Sequence, residues 1–314
     1  MGISAVFGFA ALVFAILAIP AYFLVLESHY DKRGKASQDL RPTTRDGDEI
    51  DSIKAAIHIP SKKSYRQQLA LFHGRLTNKT FFKGVGKPML LFSFPAVVYT
   101  AFSNTLFLIL VSAVTTLISI ILTAPPYNLS ATDVGLTSLP AFGVALLSGP
   151  MWGWMSDASV SFMARHNGKQ RGVAEPEFRL ILFVLAMPVL AFGLIALGTA
   201  INEGQPLLWV LIWLGVISFG STGGLQISIS YLIDCIPEHS AQAFSSVNMT
   251  AALVVFAGSG PLVGWLETSG PLVVFSSLGA ASVSIIVLGI PLYVFGKRIR
   301  GWYGRAEWAQ KLLR

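Results

Sequence analysis

The sequence predicts an all-α polytopic membrane protein with seven transmembrane helices, on three observations. Uncharged runs of 23 residues or more recur along the chain, the polar joints between them are short except for one, and all 23 Lys and Arg fall in alternate joints. A spanning helix needs about 20 predominantly apolar residues, so every run is long enough. The one-sided distribution of basic residues is what membrane insertion imposes on connecting loops.

Composition narrows the class further. The chain is 53% hydrophobic and 12% charged, whereas a soluble domain carries about 25% charged residues. A water-soluble core absorbs much apolar area, but not this many charge-free runs. The net charge of +7 does not read as a nucleic-acid surface, because no Lys or Arg lies inside a long apolar run. A single cysteine, Cys235, excludes an internal disulfide framework and a cysteine-rich metal site. The five histidines (His29, His58, His73, His166 and His239) are scattered without ligand spacing, and none accompanies a serine inside a span. No metal, no cofactor and no enzyme constellation is therefore expected.

Residues 3–26 read as the first span and not as a secretory signal: no basic leader precedes them, and Pro20 stands where a small-residue cleavage site belongs. Residues 27–88 are the one large polar segment, with 13 Lys/Arg and 7 Asp/Glu. Its first part is linker-like, and one or two short surface helices are expected between Ile50 and Phe82. A unit so small and polar is not expected to fold as a domain of its own. The second span runs from Met89 to Thr123, with Pro95 in its first turns and Pro125-Pro126 as its stop. The third occupies 134–156 and ends at Asp157, which opens a polar loop to residue 179. The remaining spans occupy 180–202, 204–233, 240–266 and 268–296, and a basic tail of 18 residues begins at Lys297.

Orientation follows from the joints. Segments 27–88, 157–179, 234–239 and the tail hold every Lys and Arg, while 124–133, 203 and 267 carry only Asp133, Glu203 and Glu267. The N-terminus is thus expected outside and the C-terminus in the cytoplasm. Trp209, Trp213 and Trp265 at outer span ends, and Trp152 and Trp154 at an inner one, fit the headgroup preference of indole. In the tail, Trp302, Tyr303 and Trp308 interleave with Arg298, Arg300, Arg305, Lys311 and Arg314. That pattern suits either an interfacial segment held by anionic lipid or a solvated basic tail.

An internal echo stands three spans apart. Ser148-Gly149-Pro150-Met151-Trp152-Gly153-Trp154 closes the third span, and Ser259-Gly260-Pro261-Leu262-Val263-Gly264-Trp265 closes the sixth at the opposite face. Three-helix units related by inversion would produce this, a common plan in secondary transporters. Gly149, Gly260 and Gly264 are expected to let a neighbouring helix approach, with Pro150 and Pro261 favouring bends. Gly220 and Gly224, in the fifth span, are read as close packing or a gating bend.

Four stretches carry a family resemblance. Gly153-Trp154-Met155-Ser156-Asp157 resembles the G-x-x-[SA]-D core of a cytoplasmic loop motif. Ala164-Arg165-His166-Asn167-Gly168, followed by Glu175-Pro176-Glu177-Phe178-Arg179-Leu180, resembles the loop and helix entrance after it. Tyr231-Leu232-Ile233-Asp234-Cys235 and Pro291-Leu292-Tyr293-Val294-Phe295-Gly296-Lys297-Arg298-Ile299-Arg300 resemble two later helix ends. Together they resemble the C-terminal half of a major facilitator superfamily transporter of the fungal, drug:proton antiporter-like kind, helices six to twelve. The resemblance implies a plasma-membrane carrier of a small molecule, working by alternating access, with proton coupling as one variant. It also implies a missing N-terminal half bundle as partner.

Candidate functional residues follow. The resemblance makes Asp157 a latch, with Gly153 in the same motif and Arg165 and Arg171 as local partners; its alternative is a solvated loop acid. Asp234, at the inner mouth of the fifth span, is the ionisable residue nearest to a membrane pathway, since no acid or base lies at mid-depth. Tyr99, Ser103 and Asn104 share a face of the second span, and Gln226 and Tyr231 of the fifth, so they line a substrate cavity or hydrogen-bond between helices. Asn104 and Asn248 suit the second role equally. A seven-helix receptor and an inactive transporter fragment are the competing functions. In a Cys235→Ser background, cysteines introduced as Lys169→Cys and Lys297→Cys are expected to react with impermeant maleimide from the same membrane face; labelling from opposite faces would end the topology.

Overall fold

The computed structural model describes residues 8, 11–18, 20, 90–166, 172 and 174–305. The chain divides into two compact units, Met1–Asn78 and Lys79–Arg314. In the first, residues 11–18 are helical; most of the predicted first span, and all of the 27–88 segment, lie outside the described residues.

The second unit is helical throughout its described length. A short 3-10 turn (Leu91–Ser93) precedes α1 (Pro95–Thr123). Pro95 takes the first helical position, where its missing N–H costs nothing, so the helix starts at the proline and not at Met89. After a turn, α2 (Ala131–Leu136) begins at Ser130, whose hydroxyl accepts from the Asp133 N–H at 3.3 Å and donates to its carboxylate at 2.6 Å. Next comes α3 (Ser138–Arg165). A 3-10 entrance (Pro176–Leu182) leads into α4 (Phe183–Asn202), and α5 spans Leu207–Cys235. The last element, α6 (Ser240–Arg305), is broken at Gly270, whose φ of 75° lies in the region open to glycine. The break gives a first arm, 240–269, and a second arm, 271–305.

Two sequence expectations are corrected. The third span does not stop at Asp157: α3 continues through it to Arg165, because one exposed aspartate does not terminate a helix whose backbone bonds continue. The joint between the last two spans falls at Gly270, the residue with non-helical angles inside α6, and not at Glu267.

α5 is the packing centre, touching α1, α3 and α4. Three glycines bring it close. A Cβ on Gly220 would lie 2.8 Å from Leu190 in α4, one on Gly223 2.3 Å from the Trp152 indole in α3, and one on Gly224 2.2 Å from Phe107 in α1. The fully buried Trp152 also donates its ring N–H to the Phe219 carbonyl at 3.0 Å. The second arm lies along α4 and α1, where the Tyr99 hydroxyl donates to the Ile285 carbonyl at 3.1 Å. The first arm packs Ala243 and Val247 against Val97, Ala101 and Leu232. Gly149, Gly153, Gly260 and Gly264 have no atom within 4 Å of a notional Cβ. The close helix approach expected there is not made within the described residues.

Five helical runs are long and apolar enough to cross a bilayer: Pro95–Thr123, Ala131–Arg165, Pro176–Asn202, Leu207–Cys235 and Ser240–Trp302, the last in two arms. Their outward faces carry large apolar side chains such as Leu147, Trp154, Phe192, Leu253 and Phe256. Lipid accommodates that surface, while the backbone polar groups bond within each helix. The chain is an all-α polytopic membrane protein. Gly223→Ala is expected to cost about 1–3 kcal/mol through overpacking against Trp152, read as a lower unfolding temperature in detergent, with Gly260→Ala near neutral.

Candidate functional site

Three features compete for functional roles. The first is the aromatic and polar layer between α1 and α5. These helices run antiparallel, since Phe107 meets Gly224 while Tyr99 meets Tyr231, edge to face at 6.1 Å. The same register sets Ser103 and Asn104 level with Ser228. Ser103 donates to the Tyr99 carbonyl at 2.7 Å. Asn104 is 2% exposed, and its amide nitrogen, like the hydroxyls of Thr100 and Ser228, has no partner among the described residues. Tyr99 also stacks edge-on against Phe183, with ring centres 6.2 Å apart. Tyr99, Ser103, Asn104 and Tyr231 are therefore buried in a helix junction, while Gln226 is exposed on another side of α5. Of these five, Tyr99 borders a cavity, an apolar one of about 480 Å³ with Val98, Phe102 and Leu288.

The second feature is a larger cavity, of about 590 Å³, between α1, α2, α3 and α5. Its apolar walls include Val114, Ile118, Val134, Leu214 and Ile217; its hydroxyls are Thr115, Ser119, Ser138, Ser218, Ser221 and Thr222. Several of these donate to helix carbonyls: Thr115 to Val111 at 3.0 Å, Thr222 to Ser218 at 2.8 Å, and Ser218 across to Ala141 of α3 at 2.8 Å. Such oxygens keep lone pairs for an incoming donor. Ser221 is 4% exposed and its hydroxyl has no partner among the described residues, and a buried hydroxyl without a bond costs about 1–3 kcal/mol. Sequence reasoning missed this site. The signal was there, in hydroxyls three and four apart at 218, 221 and 222 and at 115 and 119, which share a helix face.

The third feature is ionic. Pro176 starts the 3-10 entrance, and its tight turn points Arg179 between the ends of α3 and α5. The Arg179 guanidinium donates to Asp234 at 2.6 Å, to the Ser156 hydroxyl at 2.6 Å and to Asp157 at 3.1 Å. The partner of Asp157 is thus Arg179 and not Arg165, which sits exposed two turns further along α3; Arg171 lies outside the described residues. Sequence distance hid the pairing, since 22 residues and a loop separate Asp157 from Arg179. Asp157 is 76% exposed and contributes little stability. The bond to the more sheltered Asp234 carries most of the cluster. Beside it, the buried Glu177 meets Arg300 at 2.6 Å and Glu175 meets Lys297 at 2.6 Å, tying the α4 entrance to the second arm.

The described helices thus form a membrane bundle with a hydroxyl-lined cavity and an ion cluster at its helix ends. The sequence profile of the Major Facilitator Superfamily matches residues 1–259, and the chain belongs to that family. Protein HOL1 of Saccharomyces cerevisiae is 29% identical over 185 residues, covering 58% of this chain and 30% of that protein. An uncharacterized MFS-type transporter of Schizosaccharomyces pombe is 24% identical over 309 residues, 89% of this chain and 50% of the relative. MFS transporter cpaT of Aspergillus oryzae is 27% identical over 229 residues, 71% of this chain and 45% of the relative. The chain spans about half or less of the length of these relatives, and no solved structure matches it.

The Schizosaccharomyces and Aspergillus relatives are transporters, and membership of their family speaks against the receptor and enzyme alternatives. The restriction of the likeness to a C-terminal half, helices six to twelve, does not stand. The family match begins at residue 1 and runs to 259, and the Schizosaccharomyces relative aligns with 89% of the chain. The same coverage overturns the missing N-terminal half bundle as a partner. Arg179→Ala is expected to lower unfolding stability by about 1–3 kcal/mol, because it strands Asp234 and Ser156 together. Arg165→Ala should change the unfolding temperature little.

Proposed function

We propose that the chain moves a small molecule across the membrane by alternating access, with the 590 Å³ cavity as its binding wall. The observation that carries this reading is the Ser221 hydroxyl, buried at the cavity lining and left without a bond for a ligand to supply. The apolar walls and the acceptor oxygens of Thr115, Ser218 and Thr222 suit a ligand with one greasy face and one hydrogen-bond-donating face. Tyr99, Ser103, Asn104 and Tyr231 serve as the junction that keeps α1 and α5 in register.

At the ionic end, Arg179 acts as a latch joining α3, the α4 entrance and α5 through Asp157 and Asp234. Parting these ends would open the bundle on that side, and re-forming the bonds would close it. The charge partition supports seven spans with that end in the cytoplasm and the N-terminus outside. Residues 27–88 then form a cytoplasmic joint after the first span. Uptake into proteoliposomes, screened over labelled sugars, amines, amino acids and vitamins, tests the reading. With any substrate found, Ser221→Ala is expected to raise KM about three- to tenfold, the worth of one hydrogen bond. Asp157→Ala is expected to slow turnover with KM little changed; an unchanged rate removes the latch, and an unchanged KM for Ser221→Ala removes the cavity.

A further inference from the structure

The second arm of α6 sorts its charged residues by face. On another face of the helix, the exposed Lys297 and the half-buried Arg300 are held by Glu175 and Glu177 at 2.6 Å each. Arg298, Trp302 and Arg305 follow at intervals of four and three, which places them on one helical stripe. All three are exposed, Trp302 by 56%, and neither arginine has an ion-pair or hydrogen-bond partner among the described residues. The same stripe runs down into Val294 and Phe295, 59% and 49% exposed. Apolar surface thus passes directly into cationic surface along one side of one unbroken helix.

Length fixes where that change falls. From 271 to 305 the arm is long enough for roughly 50 Å at 1.5 Å per residue, against a hydrocarbon core of about 30 Å. Its long uncharged run ends at Gly296, so the final turns stand at headgroup depth as rigid helix, anchored by the ion pairs of Lys297 and Arg300. The two outward guanidiniums are about 10 Å apart along the axis, with an indole between them suited to the interface.

We propose that Arg298, Trp302 and Arg305 form a binding surface for anionic phospholipid headgroups in the leaflet this end of the helix meets. Guanidinium forks hold the lipid phosphate and serine carboxylate, while Val294 and Phe295 lie against its acyl chain. The surface rests on the membrane placement of α6 and is independent of which molecule the cavity takes.

Native mass spectrometry of the full chain in detergent, offered phosphatidylserine and phosphatidylcholine at equal concentration, tests it. Preferential retention of phosphatidylserine, weakening as NaCl is raised, is expected. The R298Q/R305Q variant should lose about fivefold in phosphatidylserine affinity for each arginine removed, and R298K/R305K should keep most of it. Should the double variant not purify as a monodisperse protein, Arg305→Gln alone, at the end of the described helix, must still show its fivefold loss. Equal retention of the two lipids by the unaltered protein, undiminished affinity in the glutamine variants, or displacement of the lipid by inorganic phosphate would each overturn the proposal.

Discussion

Everything in the bundle depends on how closely α5 approaches its neighbours. Over Gly220, Gly223 and Gly224, three different helices press their side chains or backbone into the space that a Cβ would fill. In lipid the hydrophobic effect does little to hold helices together, so contact at this range and its dispersion energy must do it. The fit is made by pairing each absent side chain with a bulky one: Leu190, Trp152 and Phe107. Because Trp152 also donates to the Phe219 carbonyl, the α3–α5 contact is directional as well as tight.

This contact separates the cavity from the ion cluster. On one side of it α5 contributes Ser218, Ser221 and Thr222 to the cavity; on the other it ends at Asp234 beneath Arg179. The middle of the helix is locked against three partners, so opening at either end has to be accommodated by the ends. The ion cluster is well placed for that, being made of bonds between elements and not within one. Its most exposed member, Asp157, is also the easiest to release into water.

The broad class was legible because the bilayer writes its constraint into composition: long uncharged runs and basic joints survive any detail of packing. Helix limits were less so. Asp157 looked like a terminus because charge usually marks the membrane edge, yet α3 runs on to Arg165, since a helix can leave the hydrocarbon without unwinding. The partner of Asp157 was hidden because a loop and the start of another helix bring Arg179 to it. The cavity went unread for a different reason. Serines and threonines in apolar helices often bond back to their own carbonyls, as Thr115 and Thr222 do, and the sequence does not tell these from Ser221, which has no such bond among the described residues. Gly220 and Gly149 looked alike in sequence, but only the first meets a neighbour in the fold.

The uninterrupted course of α3 has a mechanical meaning. Ser138 and Ala141 near its start face the cavity, and Ser156 and Asp157 near its other end meet Arg179. A single rod of roughly 25–30 Å at 1.5 Å per residue joins the two, with Trp152 as a fulcrum against α5. A ligand that tilts the near end by a small angle would swing the far end in the opposite sense, so occupancy at one face of the membrane could be felt as strain at the other without any signal passing through side chains.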